Sequence, residues 1–183
     1  MTTGPWELPD SVETERLLLR PHRRGDVDDL LVFHSDPDIV RYVPWEVRTR
    51  DEVAAFIEGR MQLLTAPADG AWVVYAIELR TPDGAGHVIG EVLLKRADAA
   101  HGVAELGYAI AAHVHGRGIA SEAVAAMLDL GATAFGVREV HAIVDERNVA
   151  SIRLLERFGF VLDGPYADEV EQQLVRYTVR LAP

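Results

Sequence analysis

Cysteine is absent from all 183 residues. That excludes disulfides, thiolate metal sites and a cysteine nucleophile, and it leaves the redox compartment open. No apolar run reaches the ~20 residues that a membrane-spanning helix needs. The opening MTTGPWELPDSVETERL has neither a basic start nor an apolar core, so no signal peptide is expected. Basic residues are the minority, 18 Lys and Arg against 29 Asp and Glu, a net charge of −11. Such a surface repels nucleic acid and anionic membranes and favours cationic small molecules or basic peptides. Repeats, low-complexity tracts and a dividing linker are lacking too. What remains is a soluble, cytoplasmic, single domain over 1–183, with its core from about 13 to 181 and 49% apolar residues to fill it.

Patterning supplies the elements. ETERLLLRP (13–21) reads as a strand ended by Pro21. GDVDDLLVFHSD (25–36) has helical spacing at Val27, Leu30, Leu31 and Phe33, with Asp26 placed to cap it. DPDIVRYV is a single turn. A second helix (49–64) opens on Thr49 with Glu52 three residues on, the pattern of a capping box. Strands 71–80 and 87–96 flank the turn TPDGAG as a hairpin, and strand 103–112 follows. Helix 118–135 carries Ile119, Ala123, Met127, Leu130 and Ala134 on one stripe. Strand 137–146, a short helix at 148–160 and an alternating stretch at 169–181, typical of an antiparallel edge strand, complete the chain. The order predicts a mixed α/β sheet with one parallel crossover, made by strand 103–112, helix 118–135 and strand 137–146. Ligands of such sheets sit at the carboxyl ends of parallel strands.

A glycine-rich stretch, HVHGRGIASEAVAAML (113–128), occupies that end. A helix N-terminus offers unpaired N–H groups and a partial positive charge, which suit phosphate oxygens. Gly116 and Gly118 clear the approach, and Arg117 adds a charge. The longer phosphate loops do not match, since Gly118 is followed by Ile119, Ala120 and Ser121. A plain strand-to-helix turn is the other reading of the two glycines alone. The second stretch, NVASIRLLERFGF (148–160), opens with Asn148 as a cap for the amides of Ala150 or Ser151 and closes at Gly159 as a left-handed C-cap.

Taken together, TERLLLRP, LGYAIAAHVHGRGIASEA and NVASIRLLERFGF resemble the GCN5-related N-acetyltransferases (GNAT), and most closely the branch with the ribosomal-protein N-terminal (RimJ/RimL-like) acetyltransferases. The resemblance covers nearly the whole chain. It implies the GNAT fold, a mixed, mostly antiparallel sheet of six to seven strands with one parallel crossover and flanking helices. It also implies acetyl-CoA as co-substrate and transfer to an amine acceptor. By resemblance, the Q/R-x-x-G-x-G/A loop is His115-Gly116-Arg117-Gly118-Ile119-Ala120, with Ser121 following, and its backbone amides take the pyrophosphate. His115 departs from the Gln or Arg of the motif. Ile110, Ala111 and Ala112 would pair their backbone with the pantetheine arm where the parallel strands splay, and Asn148 would touch the same arm.

Acetyl transfer to an amine requires removal of a proton, polarisation of the thioester and stabilisation of the leaving thiolate. Without cysteine, direct attack in a ternary complex is expected. Glu105, in phase with Gly107 and Ala109 on strand 103–112, is the candidate base, acting directly or through water; the alternative is a strand glutamate facing solvent. Glu91 on the neighbouring strand is second. Many relatives carry a Tyr seven residues after the helix-opening Asn, where this chain has Leu155. Ser151 is the substitute that the RimJ/RimL-like branch suggests, against a cap-assisting role. Tyr108 faces opposite to Glu105 and reads as core. Arg153 and Arg157 read as exposed helix charges, with CoA phosphates as the alternative. The pair His113 and His115 lacks a third ligand, so no metal is expected. Tyr42 and Trp45 line an acceptor pocket by family analogy or simply pack. A non-catalytic acyl-CoA-binding module is the competing function, and a homodimer is a further expectation from the resemblance.

Overall fold

The computed structural model describes residues 4–43, 45–81, 86–166 and 173–181. The chain enters through β1 (Trp6–Glu7), β2 (Val12–Glu13) and β3 (Leu17–Arg20). A 3-10 turn at Arg24–Asp26 leads into α1 (Val27–His34), the single turn α2 (Pro37–Val40) and α3 (Arg50–Arg60). β4 (Thr65–Ala66), β5 (Trp72–Leu79), β6 (His87–Asp98) and β7 (Val103–Ile110) follow. The rest is α4 (Ile119–Phe135), β8 (Glu139–Asp145), α5 (Val149–Arg157), β9 (Val161–Tyr166) and β10 (Leu174–Arg180).

Among the described residues the main sheet has eight strands, ordered β2-β3-β5-β6-β7-β8-β10-β9, and β1 pairs separately with β4. All neighbours run antiparallel except β7 and β8, whose parallel pairing is bridged by α4 as the crossover requires. One strand more than expected arises because the two-residue β2 extends an edge of the sheet.

Several local expectations are corrected. The carboxy-terminal strand is internal, lying between β8 and β9, and β9 forms the edge. Its hidden neighbour reads VLDGPY, in which Gly164 and Pro165 look like a turn; both are tolerated because that edge needs no further ladder. Asp26 stands at the N-cap position of α1 without capping it. Its carboxylate accepts instead from Arg20 (2.9 and 2.8 Å) and from the Arg23 amide (2.7 Å), an ion pair that ties β3 to the helix start. Thr49 and Glu52 do form the reciprocal capping box, although α3 ends at Arg60. Of the stripe expected on α4, Ile119, Ala123, Met127 and Leu130 are buried and Ala134 is exposed; Val124, Leu128, Gly131 and Phe135 widen the buried face. Residues 82–85 of the expected hairpin turn, and 169–172 of the expected last strand, lie outside the described residues, while β5 and β6 pair antiparallel as a hairpin should.

Two apolar layers flank the sheet. One packs α4 on Leu94, Ala104, Leu106, Val140 and Ala142. The other packs α1 and α3 on Ala76, Val88, Ala109 and Ala111. The second layer also holds a polar cluster. Fully buried Glu91 accepts from Arg60 Nη2 at 3.1 Å and lies 3.5 Å from His22 Nε2. Burial alone would raise its carboxyl, but His22 and the Arg60 guanidinium outweigh that and hold it below the usual range. His34, with no exposed surface, accepts at Nδ1 from Arg48 (2.9 Å), and the Arg48 guanidinium lies over Phe56 and Trp45. Burial first, and then the charges of Arg48, Arg60 and His22, push the His34 imidazole down to about 4 despite the opposing pull of Glu91.

The sign of the resulting pH effect is fixed. An unfolded histidine titrates near ~6.5, above the folded value of about 4. Between these, only the unfolded chain takes up the proton, so stability is complete above this window and is lost as pH falls through it. Urea unfolding should show a loss on the order of 1–2 kcal/mol between about pH 7 and 5 from this group. His34→Gln should flatten that difference.

Candidate active site

The site begins where β7 and β8 part. Their pairing covers only Val103–Leu106 with Glu139–Ala142, yet β7 continues to Ile110 and β8 to Asp145. Beyond Leu106 the β8-facing edge of β7 therefore carries backbone groups with no strand opposite. On its other edge β7 stays paired with β6 up to Gly90 and Ile110, where a Cβ on Gly90 would collide with the Ala109 carbonyl oxygen. Glycine at 90 lets β6 hold the last residues of β7 close, so the gap opens on the β8 side alone.

After β7 the chain makes a 3-10 turn at Ala112–Val114 and reaches the two glycines. Both are left-handed, Gly116 at φ 73° and Gly118 at φ 77°, which side-chain-bearing residues rarely adopt. Space around Gly116 is open, and a Cβ on Gly118 would meet only the Arg16 guanidinium at 3.4 Å. Conformation, rather than crowding, demands glycine here. Gly118 occupies the N-cap of α4 and has no side chain to cap with, so the first-turn amides of Ile119, Ala120 and Ser121 point outward without a side-chain partner.

A clamp unseen in the sequence fixes this turn. Glu122, one turn into α4, accepts from Thr14 Oγ1 (2.5 Å), from the Arg16 amide (2.7 Å) and from Arg16 Nε (2.7 Å). Arg16 Nη1 in turn donates to the Arg117 carbonyl at 2.8 Å. Burial pushes the Glu122 carboxyl up, but these donors outweigh it and keep it below the ordinary range. The ring of His115 folds back, Nε2 donating to the Ile110 carbonyl at 2.8 Å. It thereby links the turn to the end of β7.

Opposite stands α5. Asn148 Oδ1 accepts from the Ser151 amide at 3.1 Å, the expected cap. Arg147 holds Asp145 through two side-chain bonds (2.9 and 2.5 Å), keeping that carboxyl low and setting the turn between β8 and the helix. The Ser151 hydroxyl meets the Tyr108 hydroxyl at 2.6 Å, and this contact ties β7, just past its last pair with β8, to the first turn of α5. Burial, offset by the Ser151 bond and Arg157, pushes the Tyr108 phenol up to about 12.

These parts line one cavity of about 1080 Å³. Of the residues anticipated from the sequence, Ile110, Ala112, His115, Gly116, Gly118, Ile119, Ala120, Ser121, Asn148 and Ser151 line it. Ala111 does not. It is buried, its N–H donates to the Ile89 carbonyl (2.8 Å) and its own carbonyl accepts from Val114 (3.2 Å), so it has nothing to offer a ligand on that edge. Arg117 is outside the lining too, its carbonyl turned to Arg16. Tyr42 lines the far wall beneath Arg41, whereas Trp45 packs against His34 under α1 and α3. Arg153 and Arg157 reach the rim, and Leu155 is core.

The two glutamates lie elsewhere. Glu105 sits on the face of β7 shared with Ala109, four residues from it, with Lys95 Nζ 3.5 Å away and its side chain 20% exposed. Glu91 is sealed in the polar cluster described above, with no exposed surface. Neither lines the cavity. Tyr108, read from the sequence as core, does. No sequence signal marks it, since the fold alone decides that Tyr108 stands two residues past the last β7–β8 pair.

Residues 16–161 match the family model described as Acetyltransferase (GNAT) domain. The chain belongs to the GNAT acetyltransferase family. It is 29% identical over 159 residues, 87% of this acetyltransferase and 86% of the relative, to a Bacillus licheniformis protein named as an uncharacterized N-acetyltransferase, p20. Two solved structures share the fold. One is a Vibrio cholerae protein assigned as a ribosomal-protein-serine acetyltransferase (TM-score 0.81, 17% identity, 96% of this chain and 100% of that one). The other is the Microcin C7 self immunity acetyltransferase MccE in complex with acetyl-CoA and AMP (TM-score 0.74, 18% identity, 94% and 97%). This acetyltransferase therefore belongs to the acyl-CoA-dependent transferases. No described helix in it is long and apolar enough to cross a membrane.

The left-handed turn makes a prediction that stands apart from ligand binding. Gly118→Val places a β-branched residue at φ 77°, which should cost about 1–3 kcal/mol. Gly118→Asn, whose side chain tolerates that region, should cost clearly less. Thermal unfolding of the two variants beside the wild type checks the order.

Proposed function

We propose that the protein moves the acetyl group of acetyl-CoA to a primary amine by direct attack in a ternary complex. The observation that carries this is the opening between β7 and β8, which runs into the uncapped start of α4 within a single cavity. The chain's groups fit such a co-substrate in order. First-turn amides of α4 and the bare approach over Gly116 suit a pyrophosphate. The unpaired edge of Tyr108–Ile110 suits the amides of an extended arm, since buried backbone groups need partners. Asn148 adds its remaining amide hydrogens from across the gap, where it lines the cavity.

At the reacting end, Ser151, whose side chain lines the cavity, is assigned to the leaving sulfur, where a hydrogen bond is stronger in the transition state than before it. The amine must arrive without its proton. Glu105 is assigned as the ultimate acceptor; it stands four positions along β7 from Ala109 at the cavity, roughly 13 Å, so waters carry the proton between them. Glu91 is ill suited, being sealed and already paired to Arg60. The acidic balance of the chain, −11, favours a cationic acceptor such as a basic N-terminus or a polyamine-like amine.

Release of free thiol from acetyl-CoA, measured across a panel of peptides and small amines, should identify accepted substrates; a panel without any release would overturn the transfer reading. With an accepted amine, Glu105→Gln should lose about 10²-fold in turnover at neutral pH, the low end for a general base, since waters lie between it and the amine. Part should return above the acceptor's own pKa, ~8 for an α-amine and ~10.4 for a lysine-like amine, because the amine then arrives neutral. Equal, parallel pH–rate profiles for the two proteins would remove Glu105 from the mechanism.

A further inference from the structure

We propose that Tyr108 is a positioning residue for acetyl transfer, its phenolic hydrogen engaging the Ser151 oxygen so that the Ser151 hydrogen is left for the sulfur of CoA. The inference rests on the assignment of Ser151 to the sulfur given above. It begins from the 2.6 Å contact between the two hydroxyls, 43 positions apart in the chain and both in the cavity wall.

A contact of two hydroxyls can run either way, and the direction decides what Ser151 can do. Ser151 has one hydrogen. If it donates to Tyr108, nothing remains for a leaving thiolate. If Tyr108 donates, the serine hydroxyl keeps its hydrogen and its oxygen is made a better donor by the bond it accepts. A phenol is far more acidic than an alcohol, so it is the natural donor of the pair. Each hydroxyl has the other as its one side-chain hydrogen-bond partner among the described residues, so nothing competes for either. The serine is already held from behind, since its amide is fixed on Asn148. With backbone and oxygen both anchored, the remaining freedom of the hydroxyl hydrogen is directed into the cavity. The phenol also stays protonated through any working pH, because burial pushes it up to about 12.

The transfer balances without a proton leaving Tyr108. The amine nitrogen bonds to the carbonyl carbon, the carbon–sulfur bond breaks, and its electron pair stays on sulfur as thiolate. Ser151 donates a hydrogen bond to that thiolate. The ammonium proton has gone through water to Glu105, the second proton leaves the nitrogen to solvent as the amide forms, and the thiolate takes one from solvent after release. Tyr108 sets the donor and is consumed by nothing.

The test reads the sulfur directly. The thiol of CoA bound to the intact protein is titrated by its ultraviolet thiolate band, in the wild type, Tyr108→Phe, Ser151→Ala and the double variant. A bound wild-type thiol should titrate about one pK unit below the ~8.5 of a free thiol. Tyr108→Phe and Ser151→Ala should each return most of that shift, and the double variant should add little to Ser151→Ala alone. Turnover with an accepted amine should follow the same non-additive pattern, falling about tenfold or more in kcat while the acetyl-CoA Kd holds. A Tyr108→Phe protein with a wild-type thiol titration overturns the proposal, even if it is less stable. So does a Tyr108→Phe effect that adds in full to that of Ser151→Ala. If Tyr108→Phe does not fold, Tyr108→Leu, which also lacks the hydroxyl, is read by the same two criteria. The proposal and the transfer reading fail separately. An intact thiol shift with no amine turned over would retain the sulfur contact and overturn the transfer, whereas turnover with an unshifted thiol would do the reverse.

Discussion

The parting of β7 from β8 is the constraint on which the rest depends. A parallel pair normally continues until both strands end, since each unmade ladder bond leaves an N–H and a C=O without a partner. Here the ladder stops at Leu106 and Ala142 with several residues of each strand still to come. Three arrangements keep the gap from closing. Glycine at position 90 lets β6 hold the end of β7 against itself. The Arg147–Asp145 pair turns the chain out of β8 into α5. The Tyr108–Ser151 contact ties β7 to α5 beyond the last β7–β8 pair. What a sheet would lose as unsatisfied backbone, an extended amide-bearing ligand can restore.

Two helices begin on opposite sides of that gap, and they begin differently. α5 is capped by Asn148, which uses up the Ser151 amide and fixes the serine in place. α4 opens on Gly118 without a side-chain cap, so its first amides and the positive end of its dipole are left for an anion. A glycine N-cap in place of a side-chain cap costs helix stability only roughly a few tenths of a kcal/mol. The Thr14–Arg16–Glu122 clamp compensates from outside, joining the turn between β2 and β3 to the first turn of α4 and to the Arg117 carbonyl. It holds the turn without touching the first-turn amides that the proposed reading leaves to the co-substrate.

The parts legible in the sequence were those with local causes. Two glycines at positive φ, an Asn three residues before the amide it caps, and a Thr49–Glu52 box each declare themselves within a few positions. The crossover followed from the alternation of strand and helix. What was hidden depends on groups that meet across the chain. Arg16 and Glu122 are 106 positions apart, and Tyr108 and Ser151 are 43 apart. Strand parity correctly set Tyr108 opposite to Glu105, but parity does not say where a neighbouring strand stops. The face that is core at Leu106 has become cavity wall two residues later. Glu105 shows the converse. Its phase along β7 matches Ala109, but phase fixes the face and leaves distance along the strand free, so the same pattern fits a residue at the cavity and one remote from it.

Charge sets the last requirement. A surface carrying −11 opposes the approach of a polyanionic co-substrate, so attraction has to be local. The cavity lining supplies Arg41, Arg147, Arg153 and Arg157, though not as equals. Arg147 is committed to Asp145, and Arg41 lies 3.4 Å from Asp38. Arg153 and Arg157 make no ion pair among the described residues, and they stand one turn apart along α5 on the cavity rim. On the proposed reading, these two guanidiniums at the mouth and the bare amides within would form a gradient from long-range to short-range attraction. The outer part is screened by salt over a Debye length of about 8 Å at physiological ionic strength, while the inner amides are not. Salt should therefore slow capture of the co-substrate far more than it hastens release, since only the encounter is felt at a distance.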